Sequence, residues 1–241
     1  MIDVQGLTKS YADVLAVRDL SFAVRDGEIL GLVGPNGAGK TTTLRCLVGV
    51  IRPSAGTIAV DGHDLATAPL EAKRRLAFIP DEPQLFEYLT VTEHLRFIAR
   101  LYNVADAEAR SAELVRELEL TDKQDVFPDG LSRGMKQKLA IACGLLHHPT
   151  ALVLDEPLTG LDPGAIRRMK DTIRAQAASG VAVLLSSHLL TLVEELCTRI
   201  LVIHQGRAVA MGTIDEIKSS RPELAGKGLE DVFLALTARQ P

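Results

Sequence analysis

The sequence predicts an α/β fold: a core built on a parallel sheet, an antiparallel β subdomain at the N-terminus, and a helical subdomain inserted in the middle. Three observations lead there. Strand-like and helix-like stretches alternate along most of the 241 residues, the pattern of helices crossing between parallel strands. The apolar runs Ala151-Leu152-Val153-Leu154 and Val181-Ala182-Val183-Leu184-Leu185 are uninterrupted, as strands buried on both faces of a parallel sheet are. From about Glu82 to His148 helical periodicity takes over. Apolar residues make up 46% of the chain, with no Trp and 4% aromatics, so aliphatic side chains must fill the core.

Taken in order, Ile2 to about Val24 reads as short strands with turns, alternating at Leu20, Phe22 and Val24. Ile29-Leu30-Gly31-Leu32-Val33 is a compact apolar strand that runs into a glycine-rich turn and then a helix from about Gly39 to Val48. Ile58-Ala59-Val60 and Ala77-Phe78-Ile79 read as further strands. In the inserted block, helices cover about Val91 to Tyr102 and about Glu108 to Leu118. Pro128-Asp129-Gly130 then breaks the chain, and a third helix runs to about His147 with Leu131, Met135, Leu139, Ala142 and Leu146 at helical spacing. The core resumes at Ala151. A helix spans about Gly164 to Ala178, and Ile200 to Ile203, Gln205-Gly206 and Val209 to Met211 form a hairpin pattern. Ser219 to Gly228 is loop-like, and a short amphipathic helix with Leu229, Val232, Phe233 and Leu236 on one side closes the chain. The expected organisation is one domain, 1–241, with core segments 1–81 and 149–218, a helical subdomain 82–148, and a tail 219–241.

Net charge is −4, from 27 basic and 31 acidic residues, which argues against a nucleic-acid partner, since such binding needs a basic face. Cys46, Cys143 and Cys197 are far apart in apolar contexts and have no metal-ligand spacing, so they read as buried thiols in a reducing compartment. The N-terminus lacks a signal-peptide pattern. No apolar run reaches the ~18 residues of a bilayer span, so action at a membrane would require another chain to supply the pore.

Gly34-Pro35-Asn36-Gly37-Ala38-Gly39-Lys40-Thr41 fits the phosphate-loop pattern of Gly, four residues, Gly, Lys and Ser or Thr, between a strand and a helix. This identifies the core as a P-loop NTPase. Glycines let backbone N–H groups turn towards phosphates, and the helix start adds unpaired donors and partial positive charge. Lys40 should reach the β- and γ-phosphates of ATP, Thr41 should hold Mg²⁺, and Thr42 should bind phosphate through its hydroxyl or N–H. Asp155 and Glu156 follow a buried strand, at the sheet edge where open α/β sheets bind ligands. Asp155 suits a Mg²⁺ carboxylate and Glu156 a base for the attacking water. His188 follows the next buried strand through Ser186-Ser187; the same edge puts it within reach of a γ-phosphate, although an isolated His also suits a solvated or core position.

The chain resembles the nucleotide-binding domain of ABC transporters over nearly its full length. Leu131-Ser132-Arg133-Gly134-Met135 is similar to that family's signature, usually Leu-Ser-Gly-Gly-Gln, and opens a helix. Its Ser132 and free N–H groups suit a γ-phosphate, and Ser132 also suits a plain helix cap. Leu161-Asp162 matches the family's D-loop, His188 its switch histidine, and Tyr11 the aromatic that stacks on adenine. All these motifs occur in the family's order. The resemblance implies an ATPase that uses ATP and Mg²⁺. It also implies two ATP sites, each between the Lys40 loop of one domain and the Ser132–Gly134 signature of another, in a homodimer or heterodimer. Such a dimer would sit beneath a transmembrane permease on the cytoplasmic face of the membrane.

Two motifs depart from the family's pattern. Asp81 stands where a Q-loop glutamine is expected after Ile79-Pro80; a carboxylate there can still hold water on Mg²⁺, and Asp81-Glu82-Pro83 equally reads as a turn. Arg133 and Met135 replace Gly and Gln in the signature; Arg133 either adds positive charge near the opposite nucleotide or points to solvent. Phe86, Tyr88 and Leu89 lie where the family's groove receives a membrane-subunit helix, and they suit either that docking role or packing inside the helical block. The ending Leu229-Glu230-Asp231-Val232-Phe233-Leu234-Ala235-Leu236 resembles that of bacterial export-type ATPases and favours export over import. The alternatives are a soluble non-transport ABC ATPase acting on ribosomes or DNA, and an ATP-sensing module with weak hydrolysis. A P-loop kinase would leave the signature, Asp162 and His188 unexplained.

Overall fold

Apolar alternation builds the first sheet. β1 (Ile2–Tyr11) buries Ile2, Val4 and Leu7, and β2 (Val14–Val24) buries Val17, Leu20, Phe22 and Val24. They pair antiparallel from Ile2↔Val24 to Tyr11↔Val14, with register shifts between Val4 and Leu7, Leu7 and Lys9, and Lys9 and Ser10. The short strands expected here are therefore two long ones, kinked by irregularities that twist the ribbon. The computed structural model describes residues 1–221, 226 and 228–237. Parts of the expected Ser219–Gly228 loop and of the tail, residues 222–225, 227 and 238–241, lie outside the described residues.

The chain continues with β3 (Ile29–Val33), α1 (Lys40–Leu47), β4 (Ala55–Val60), β5 (His63–Asp64), α2 (Pro69–Arg74) and β6 (Leu76–Ile79). The inserted helices are α3 (Val91–Tyr102), α4 (Ala107–Glu117) and α5 (Arg133–Leu145). Next come β7 (Ala151–Asp155), α6 (Pro163–Ala178), β8 (Ala182–Ser186), α7 (Leu190–Leu196), β9 (Arg199–His204), β10 (Arg207–Gly212), α8 (Ile214–Ser219) and α9 (Leu229–Thr237). The antiparallel sheet has the order β2-β1-β4-β5 and the larger sheet the order β10-β9-β3-β8-β7-β6. In the larger sheet β9, β3, β8, β7 and β6 run parallel, and β10 returns antiparallel on β9. The central strands β3 and β8 are buried at every residue, as their unbroken apolar runs require.

One apolar cluster joins the helical insertion to the sheet: Leu95, Leu114, Leu139 and Leu145 pack with Ile79, Leu152 and Leu185. A second fills the space between the two sheets with Ile2, Leu20, Leu44, Leu47, Val153 and Leu184. Capping sets the starts of several helices. Thr90 and Glu93 form a reciprocal capping box on α3, Ser132 caps α5, and Asp162 caps α6 with Pro163 in the first turn. Helices α2, α7 and α8 have six or seven residues each, too short for a periodic pattern to reveal. They exist because packing stabilises turns that are marginal alone.

All three cysteines are free. Burial pushes the thiols of Cys143 and Cys197 up to about 12 and raises that of Cys46, so they behave as packing groups. Phe86 and Tyr88 do not pack inside the helical block: Phe86 is exposed and Tyr88 is 87% exposed. Phe86 lies edge-on to Phe97 at 5.1 Å on the surface of α3. Among the described residues no helix is long and apolar enough to cross a membrane.

Candidate active site

The phosphate loop hangs between the end of β3 and the start of α1. Gly39 precedes the helix with φ 105°, and a Cβ there would lie 2.6 Å from the carbonyl oxygen of Ala16. Both conformation and space therefore demand glycine. Thr43 Oγ donates to the Gly39 carbonyl at 2.9 Å and fixes the first turn. Lys40 Nζ donates to the carbonyls of Gly34 at 2.5 Å and Pro35 at 3.2 Å, so its ammonium curls back over the loop. Burial lowers its pKa, opposed by the nearby Glu156 and Asp155; an anion in front of it would raise it again.

Asp155 ends β7 opposite Ser186 of β8. Burial pushes its carboxyl up, and the neighbouring Glu156 and Asp81 carboxylates add to that shift while Lys40 opposes it. Glu156 has φ 49°, a left-handed conformation that costs a non-glycine residue roughly 1–3 kcal/mol and clusters at functional sites. Its N–H donates to the Ser186 carbonyl at 2.9 Å. Its carboxylate accepts from Ser187 Oγ at 3.1 Å and from the His188 N–H at 2.8 Å, and His188 Nδ1 lies 2.8 Å from the same oxygen as that N–H. Glu156 is 16% exposed against 61% for His188. The carboxylate is thus held firmly while the imidazole reaches into solvent.

These groups line one cleft of about 570 Å³, bounded by Ala16, Asn36–Thr42, Asp81, Asp155, Glu156, Thr159 and His188. Gly34 and Pro35 border a smaller cavity of about 250 Å³ behind the loop, with Ser187, His188 and Phe233. The remaining candidates stand apart. Ser132 and Gly134 do not line the main cleft; Ser132 Oγ accepts from the Met135 N–H at 3.3 Å as a helix cap. Asp162 caps α6 by accepting from the Ala165 N–H at 2.9 Å, a bond that, with others, holds its carboxyl below the usual range. Tyr11 is exposed at the end of β1, with Lys9 Nζ 5.1 Å from its ring centre. Asp81 accepts from Arg133 Nη2 at 3.1 Å, so Arg133 points to a carboxylate of its own chain.

Thr41, Asp155 and Asp81 offer hard oxygen donors beside the phosphate loop, which fits Mg²⁺. Among the described residues no group of three or more His, Cys, Asp or Glu is arranged to hold a metal by itself. A few protein oxygens completed by phosphates is the way Mg²⁺ is usually bound. Sequence reasoning missed Ser187, Thr159 and Ala16. Ser187 carried a signal, as the residue beside His188; the other two reach the cleft only through tertiary packing.

A family model described as ABC transporter matches residues 17–159. The chain is 34% identical over 239 residues to the ABC-type transporter ATP-binding protein EcsA of Bacillus subtilis (strain 168), covering 98% of this chain and 96% of that one. It is 41% identical over 213 residues to a Nod factor export ATP-binding protein I of Burkholderia orbicola (strain AU 1054), covering 88% and 70%. A solved structure described as the ATP binding subunit of an ABC transporter superposes with a TM-score of 0.93 at 38% identity, covering 98% of this chain and 99% of that one.

Proposed function

The chain belongs to the ABC transporter family, and from that premise we propose that it is the ATP-hydrolysing subunit of an exporter whose membrane-spanning permease is a separate chain. Two nucleotide-binding domains close head to tail around ATP, on the cytoplasmic face of the membrane. The observation that carries this reading is an incomplete site. The cleft gathers the Lys40 loop, Asp155, Glu156 and His188 but neither Ser132 nor Gly134. The signature of a second domain is the group that completes it. Export is supported by the likeness to a Nod factor export ATP-binding protein and by the C-terminal Leu229–Leu236 pattern. The exposed Phe86 and Tyr88, with Leu89 beside them, supply an apolar surface for a permease helix.

In this reading Lys40 exchanges the carbonyls of Gly34 and Pro35 for phosphate oxygens, and Thr42 and the N–H groups of 36–41 cradle the remainder. Tyr11 stacks on adenine. Thr41 and Asp155, with Asp81 through water, would hold Mg²⁺, which neutralises phosphate charge when bound. The partner domain's Ser132 and Gly134 cover the γ-phosphate, and Asp162 borders the joint between domains. Glu156 accepts a proton from the water that attacks the γ-phosphorus as the bond to ADP breaks. His188, bonded to Glu156, keeps that carboxylate oriented and steadies the transferring group. ADP and phosphate then repel each other and the sandwich opens.

Glu156→Gln keeps the shape of the site but removes the base. Hydrolysis is expected to fall by ~10²–10⁴-fold, while ATP binding persists and the apparent mass doubles from 26.0 kDa. Light scattering with Mg-ATP reads this directly. A variant that binds Mg-ATP tightly yet stays single, with and without its permease, would overturn the head-to-tail arrangement.

A further inference from the structure

Two of the three residues that depart from the family's pattern meet each other. Arg133 Nη2 donates to Asp81 Oδ1 at 3.1 Å across 52 residues of sequence. The aliphatic stem of Arg133 lies over Gly160, where φ is +77° and a Cβ would come 2.8 Å from Arg133 Cδ. Gly134 packs beside the same turn: a Cβ on it would sit 3.3 Å from the Gly160 carbonyl oxygen and from the Leu161 side chain. The first turn of α5 is therefore seated on its own chain at two points, Asp81 and the turn that follows Glu156. Asp81 also lines the cleft with Asp155 and Glu156, and Lys40 is the one Lys or Arg in that lining among the described residues. Three carboxylates facing one ammonium leave negative charge uncompensated, and the Arg133 guanidinium lies on the outermost of them.

We propose that Asp81 is shared between two cations: it holds Arg133 while the cleft is empty, and turns inward, releasing Arg133 and the start of α5, when metal and nucleotide are bound. Arg133 is then a positioning residue that acts through Asp81 and couples occupancy of the Lys40 loop to the freedom of the signature helix. The freed guanidinium stands beside Ser132, on the face offered to the second domain. This inference rests on the nucleotide site described above. The pair is half exposed, 51% for Arg133 and 43% for Asp81, so its effect is modest, about two- to fivefold in an equilibrium.

The test uses the full chain with Mg²⁺ and a fluorescent ADP, which lacks the γ-phosphate that bridges two domains. Mg²⁺ titrations of ADP binding are compared for wild type, Arg133→Ala, Arg133→Lys, Asp81→Asn and the double variant Asp81→Asn/Arg133→Ala. Hydrogen exchange is followed at the Met135 and Lys136 amides, which are bonded to Ser132. Arg133→Ala should lower the Mg²⁺ needed for half-maximal binding about two- to fivefold. Arg133→Lys should restore it, and in the Asp81→Asn background removing Arg133 should change nothing. Exchange at Met135 and Lys136 should quicken in wild type on adding Mg-ADP and be quick already in Arg133→Ala. Equal Mg²⁺ dependence in wild type and Arg133→Ala, a shift that survives Asp81→Asn, or exchange indifferent to Mg-ADP would each overturn the shared carboxylate while leaving the nucleotide site intact. Failure of every chain to bind ADP would instead overturn the nucleotide site, and this inference with it.

Discussion

Glu156 shows how one residue answers to several distant ones. Its place after an apolar strand was visible in the sequence beside Asp155, but its bonds to Ser187 and His188, 31 and 32 residues away, depend on β7 and β8 being neighbours in the sheet. His147 carries no motif in the sequence that marks it. Its ring stacks on Tyr102 at 3.9 Å, both ring nitrogens are buried with no well-formed hydrogen bond among the described residues, and burial holds its pKa down to about 4 against the smaller opposing pull of the Leu76 and Cys143 backbone. The folded protein therefore keeps His147 neutral, whereas an unfolded chain protonates it near 6.5. A depressed folded pKa gives stability that is present above about 6.5 and is lost as pH falls towards 4. Between pH 7 and 5 this loss should be roughly 1–2 kcal/mol. The comparison is urea midpoints of wild type and His147→Phe, and wild type should lose ground to the variant as the pH falls from 7 to 5. Parallel pH profiles would show that His147 is not the group responsible.

At the scale of elements, Ser132 caps α5 and is proposed to contact the γ-phosphate as well, and one substitution can separate the two. Asp is as good a helix cap as Ser and suits the positive end of the dipole, so Ser132→Asp should leave the unfolding free energy from urea titration within ~0.5 kcal/mol of wild type. The added carboxylate would face the γ-phosphate of the other domain, and closure with Mg-ATP should be lost. If both stability and closure survive, Ser132 is only a cap. Thr90→Ala breaks the capping box of α3 and should cost ~1 kcal/mol. Its effect belongs in thermal or urea unfolding, because Thr90 lines no part of the cleft. The long helices were legible from their periodicity: the sequence reading of Val91 to Tyr102 coincides with α3. The short α2, α7 and α8 were not, because six or seven residues carry too little pattern. The exposure of Phe86 and Tyr88 was equally hidden, since an apolar side chain reads the same whether it faces a core or a partner. Phe86→Asp should reduce co-purification with the permease.

For the whole molecule, the proposed head-to-tail arrangement divides each active site between two domains, and two differently substituted copies of this chain test it. Lys40→Ala and Ser132→Asp should each abolish turnover alone, because every site in either dimer is defective. Mixed in equal amounts they should recover activity, since half of randomly formed dimers are mixed and one of the two sites in each is intact. The ceiling is about a quarter of wild type. ATPase assays across mixing ratios measure it; a flat zero at all ratios, with mixed dimers present, would place both residues in the same site.

The sequence by itself determined the α/β class, the phosphate loop, the acidic pair at the end of β7 and the family likeness, because each is carried by residues close along the chain: local periodicity, a spaced glycine motif, a strand end. The tertiary structure alone decided which of those motifs share a cleft. It set Asp155, Glu156 and His188 around the Lys40 loop, left Ser132 and Gly134 outside it, and joined Asp81 to Arg133. Such meetings depend on strand order and on how the inserted helices seat against the sheet, long-range geometry that no local stretch of residues encodes.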